Sequence, residues 1–170
     1  HPATETPKPW LPGALCVEKP QAFPPLDGED VVVVRSDGEV QVLPGVRWAA
    51  PIPGLMQDQI ARQLEAMGAA PSVAQTVQAY QQPLRLTSEL RAFELRDAGS
   101  TFSAHAAITV TLSCSRDGHV LATSKPIEVT ASPVPTQSSA ATQALRESAA
   151  LLARQIGFWL RKVDASGCAM

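Results

Sequence analysis

Phe102, Ala104, Ala106, Ile108, Val110, Leu112 and Cys114 alternate with Ser103, His105, Thr109, Thr111 and Ser113. An apolar period of two sustained over this length has one regular solution, a strand with one face in a core and the other toward water. Such a strand needs paired neighbours, and both are written beside it. Upstream, Leu84, Leu86, Leu90 and Ala92 alternate with Arg85, Thr87, Glu89 and Arg91, and Asp97-Ala98-Gly99-Ser100 joins the two runs. Downstream, Arg116-Asp117-Gly118-His119 predicts a hairpin turn into a return strand over 120–129, which Pro126 demotes toward an edge or bulge. The segment predicts a three-stranded antiparallel meander.

A second hairpin is expected where Ser36-Asp37-Gly38-Glu39 separates Val31–Arg35 from Val40–Leu43. A short apolar run at Leu15–Val17 precedes it and reads as an edge strand, with Pro20, Pro24 and Pro25 extending the crossing loop. The period then changes. Ile52, Leu55, Met56, Ile60, Leu64 and Met67 fall at helical spacing, with Pro51 and Pro53 at the start and Gly68 at the end. A polar connection is expected over 71–83. Leu145, Ala149, Leu152, Ile156, Trp159, Leu160 and Val163 mark a last helix, with Ser138-Ser139 offering its N-cap. Two amphipathic helices and a sheet with one apolar face bury both by packing together. The fold class expected is α/β (α+β), a two-layer sandwich with a mostly antiparallel sheet and both helices on one face.

A length of 170 residues suits one domain. The boundaries expected are an extended tail or remnant over 1–12, a single domain over 13–164 and a C-terminal tail over 165–170. Fourteen basic and sixteen acidic side chains leave a net charge of −2 without a basic run, so nucleic acid is not an expected partner. No stretch approaches the roughly 18 apolar residues of a membrane span.

Three cysteines, Cys16, Cys114 and Cys168, fit one disulfide with one buried thiol, or three free thiols. Cys16 and Cys168 stand near the two ends and form a candidate disulfide closing a very long loop. Cys114 shares the apolar face of its strand, and a buried thiol is its plain reading. Cys16 lacks an upstream apolar segment and reads as a strand residue, not as a lipidated cysteine.

The block Gly45-Val46-Arg47-Trp48-Ala49-Ala50-Pro51-Ile52-Pro53, followed by Leu55-Met56-Gln57, resembles the "RWA-x-P-L/I" block that opens the first helix in the ABC-type transport auxiliary lipoprotein family, the PqiC-like group. Leu26-Asp27 ahead of the Val31–Arg35 run, Leu90–Glu94, the strand from Phe102 and the closing Trp159-Leu160 follow the family's order, from about Leu15 to Leu160. The resemblance implies a periplasmic, non-catalytic component of lipid transport between membranes. It implies partnership with MCE-domain proteins and with ABC transporter or permease subunits, and it leaves room for a homo-oligomer. It also implies an outer-membrane anchor through a lipidated cysteine upstream of the residues given.

No catalytic, cofactor or metal site is expected. The histidines are His1 in the tail, His105 on the outward face of its strand and His119 in a turn, with no ligand spacing between them. Neither a Walker A loop nor a GxGxxG run is present, and Asp37 and Asp117 beside glycines are explained by turn chemistry. Arg47, Trp48 and Pro51 are the candidate interface residues, Arg and Trp being enriched where proteins meet. The competing reading puts Trp48 over the core and pairs Arg47 with a nearby acid.

Overall fold

The computed structural model describes residues 7–76 and 82–168. Its spine is the pair β5 (Leu84–Asp97) and β6 (Thr101–Cys114), two 14-residue strands hydrogen-bonded antiparallel along their whole length. The other edge of β5 takes two parallel neighbours in succession: β1 (Leu15–Val17) lies along its first half and β2 (Asp30–Val34) along its second. β2 pairs in turn with β3 (Val40–Arg47), the open edge of the sheet, and β1 with the short β4 (Val73–Ala74). The far edge of β6 is lined by β7 (Val120–Thr123), β8 (Ile127–Thr130) and β9 (Val134–Pro135). The expected return strand is thus broken into pieces, with Lys125 and Pro126 in the first gap, where proline cannot donate to a ladder.

The helices α1 (Ile52–Ala66) and α2 (Ser138–Arg161) lie side by side on one face of this nine-stranded sheet, as the apolar stripes require. Pro51 caps α1 and Pro53 occupies its first turn; Gly68, at φ 68°, follows the C-cap Met67 where a side chain would be strained. α2 begins otherwise than expected. Its N-cap is Gln137, without a side-chain cap, and Ser138 is already helical. Gln57 is the polar clasp of α1: its buried amide donates to the carbonyls of Val17 (3.0 Å) and Gln75 (2.9 Å), tying the helix to β1 and to the segment after β4.

One irregularity sets the core. The β5–β6 register slips between Leu90 and Ala92, so Arg91 is extruded and the inward positions change from Leu84, Leu86 and Leu90 to Phe93 and Leu95. A one-residue bulge inverts every later side chain, which brings Phe93 under the helices and turns Ala92 away. The expected alternation placed Ala92 inward; the bulge is the reason it is not.

The cysteines depart from the candidate pairing. Cys114 and Cys168 form the disulfide, their Cα atoms 5.5 Å apart, and Cys16 is the free, buried cysteine. Cys16 sits inside β1, between β4 and β5, whereas the chain after α2 turns back over the end of β6. Residues on both sides of 13–164 are also packed. Leu11 is 1% exposed and donates its N–H to the Ala69 carbonyl, Arg161 stacks on Trp10, and Ala165 and Cys168 join the core. Positions 1–6, 77–81 and 169–170, with the outer part of the expected tail and part of the polar connection, lie outside the described residues.

Candidate functional site

β3 ends at Arg47 and the chain turns straight into α1, so Arg47, Trp48 and Pro51 occupy one corner of the sandwich. The corner is held by backbone: the Trp48 N–H donates to the Glu29 carbonyl (2.8 Å) and the Ile52 N–H to the Gly28 carbonyl (2.9 Å). Arg47 faces water and pairs with Glu29 at 3.1 Å, with Asp30 at 4.0 Å. A pair this exposed contributes little to stability. Pro51 is exposed at the helix cap.

Trp48 turns the other way. It is 8% exposed, its ring tilted against Phe93 with centroids 5.7 Å apart, and the bulge in β5 is what delivers Phe93 to it. From α2, the Arg146 guanidinium stands 5.7 Å from the indole centroid, within the reach of a cation–π contact. The Trp48 Nε1–H is buried and has no acceptor among the described residues. A buried donor left unpaired is uncommon and costly.

These side chains line a groove of about 250 Å³ between the two helices and the sheet. Its walls are Ile52, Leu55 and Met56 from α1, Trp48 and Phe93 from below, and Ala149 from α2, with Asp58, Gln59 and Arg146 at the polar margin. Asp58 is engaged elsewhere. Gln75 and Arg62 hydrogen-bond to it, and together they hold its carboxyl below the usual carboxylate range. Arg146 has no acidic partner among the described residues and is exposed. Leu55, at 39% exposed, is the apolar rim. The arrangement can receive an apolar group against the indole and the Met56 thioether while a cation waits beside it. The Arg-Trp-Ala block singled out Trp48 and helical periodicity the α1 stripe; Arg146 and Phe93 carried no signal, the first lying about a hundred residues along the chain and the second depending on the bulge.

The second polar cluster is on the helix-free face. His105, expected outward and solvated, is indeed on that face but is only 7% exposed. Arg96 Nη2 lies 2.9 Å from its Nδ1, and since a guanidinium can only donate, Nδ1 accepts and the ring is neutral. Burial, and after it the Arg96 charge, push the His105 pKa down. His119 lies in its turn, its backbone N–H donating to Asp117 Oδ1 at 2.9 Å, and His1 lies outside the described residues. Among the described residues no three His, Cys, Asp or Glu side chains are grouped to hold a metal ion. Among the described residues no helix is long and apolar enough to cross a membrane.

A third feature is at the β3 edge. Val40 (54% exposed) and Val42 (47%) are uncovered on β3 itself, and Phe23 (68%) lines a shallow groove with Pro24, Pro25, Val32, Val34 and Val40 over the neighbouring β2.

Comparison with known proteins agrees with this geometry. The sequence profile of the ABC-type transport auxiliary lipoprotein component family matches residues 1–157. The crystal structure of XCC0632 from Xanthomonas campestris, assigned to the DUF330 family, is 27% identical and superposes with a TM-score of 0.80, covering 94% of this chain and 87% of that one. A second crystal structure, of an uncharacterized protein, shares the fold at 17% identity and a TM-score of 0.73, covering 91% of this chain and 94% of that one. No curated protein matches the chain.

Proposed function

This chain belongs to the ABC-type transport auxiliary lipoprotein component family, and from that premise we propose that it is a non-catalytic periplasmic adaptor in intermembrane lipid transport. Its partners in this reading are an MCE-domain protein and ABC transporter or permease subunits, with attachment to the outer membrane through a lipidated cysteine upstream. The observation that supports contact as its task is the β3 edge. A strand with one unpaired side that carries exposed Val40 and Val42, with exposed Phe23 nearby over β2, is the kind of edge that isolated proteins blunt and interacting proteins use. Pro44 and the register shift between Val42 and Arg47, with Gly45 at φ 75°, interrupt the second half of β3, so the regular edge is its first half, from Val40 to Val42.

Affinity capture from a cell envelope tests the reading. Wild-type protein should retain the MCE-domain subunit, and Val40→Lys with Val42→Lys should lose it while keeping the same melting temperature within a few degrees. Recovery of neither an MCE subunit nor a transporter subunit by the wild-type chain overturns the proposal. A second reading, a carrier of hydrophobic ligands, is favoured by the groove at Trp48 and differs in needing no protein partner.

A further inference from the structure

We propose that the groove between α1, α2 and the sheet binds a single-chain amphiphile with an anionic head, its chain lying along Trp48, Ile52, Met56 and Phe93 and its carboxylate or phosphate paired with Arg146. The argument rests on what converges there. The walls are apolar, yet the two polar groups that share the indole are a guanidinium without an acidic partner and an N–H without an acceptor, both among the described residues. The acid on the margin, Asp58, is already bound by Arg62 (2.8 Å) and Gln75 (3.0 Å) and so does not cancel Arg146. Donors and a cation over a greasy floor are complementary to an anion attached to hydrocarbon; a cationic head is repelled by the guanidinium, and a neutral one gains hydrogen bonds without the ion pair.

Size narrows the class. At about 250 Å³ the groove is smaller than the roughly 300 to 1,000 Å³ of sites that enclose a drug-sized molecule, which favours one chain over a two-chain lipid held whole. The Trp48 N–H is closed to water, so a ligand reaches it by displacing a flexible neighbour. Arg146, long, exposed and stacked on that ring, is the side chain placed to move. An anion that draws the guanidinium aside would meet both donors.

This inference deepens the transport role by naming the chemistry of what is carried, and it rests on that role for its biological meaning. Binding is measured on the isolated chain and partner capture on envelopes, so either can fail alone. The probe is dodecanoate below its micellar range, titrated into 15N-labelled protein while the indole N–H signals are followed. The Trp48 signal, assigned with Trp48→Phe, should shift saturably while those of Trp10 and Trp159 stay in place. Acetate, an anion without a chain, and dodecyltrimethylammonium, a chain with the opposite charge, should leave it unmoved. Arg146→Gln should weaken dodecanoate about tenfold or more, the fold-change of one charge-assisted contact, and Arg146→Lys should recover part of the loss. A Trp48 signal that does not respond to dodecanoate, equal shifts at all three indoles, equal binding of the ammonium amphiphile or full affinity in Arg146→Gln would each overturn the assignment.

Discussion

The cysteines show what position along a chain can and cannot convey. Cys16 and Cys168 are far apart in sequence, but β1 is enclosed by β4 and β5, and it is Cys114, at the end of β6, that meets the returning terminus. Cross-linking residues 54 apart removes loop entropy worth about 4 kcal/mol in the chain-entropy model, and measured values usually fall at 2–4. Cys168→Ser, or reduction, should therefore lower the unfolding free energy by about 2–4 kcal/mol in urea melts, whereas Cys16→Ser should make the melt no more sensitive to reductant. The Cys16 thiol, buried and with its pKa pushed up by desolvation and by Glu18, should resist a thiol reagent until the protein unfolds. His105 makes the other prediction at this scale. Its folded pKa lies below the unfolded value of about 6.5, so unfolded chains take up its proton first and stability falls as pH drops below about 6.5, levelling off under the depressed folded value. Arg96 opposes the proton and Glu94 and Glu128 favour it, with burial the larger effect. Between pH 7.5 and 5.5 wild-type protein should lose more stability than His105→Gln; equal losses would remove His105 from the account.

Among the elements, the two helices and the long strand were legible because their apolar periods are long and unambiguous. The bulge at Arg91 was not. A two-residue period is blind to one extra residue until the face on which the next side chains land is known. α2 departs from its expected serine cap by starting earlier: Gln137 is the extended cap residue, against the usual preference for serine there, and Ser138 falls inside the first turn. The contact between helices carries its own test. A Cβ at Gly157 would stand 2.5 Å from the Met67 sulfur, too close for the two to coexist unmoved. Alanine is worth about 1 kcal/mol over glycine in a helix. Gly157→Ala should show that gain only in a Met67→Ala background, the two substitutions coupling by about 1 kcal/mol in a double-mutant cycle; additive effects would mean that Met67 simply swings into solvent.

At the scale of the molecule, the sandwich, its layers and its family were readable from the order of elements and from the Arg-Trp-Ala block. The candidate site was half readable: Trp48 stood out as a residue, while its surroundings needed Phe93 through a register slip and Arg146 from the other end of the chain. Of the two readings of that corner, geometry gives Arg47 an acid and Trp48 a place over the core, and it leaves the β3 edge as the surface to be probed for partners. The disulfide has one further implication. Because it welds residue 168 to the tip of β6, tension applied at the carboxyl end would enter the longest ladder of the sheet covalently at Cys114, opposite Leu84 and at the same end as Leu15, and α2 would hang as a slack loop outside the path of the force.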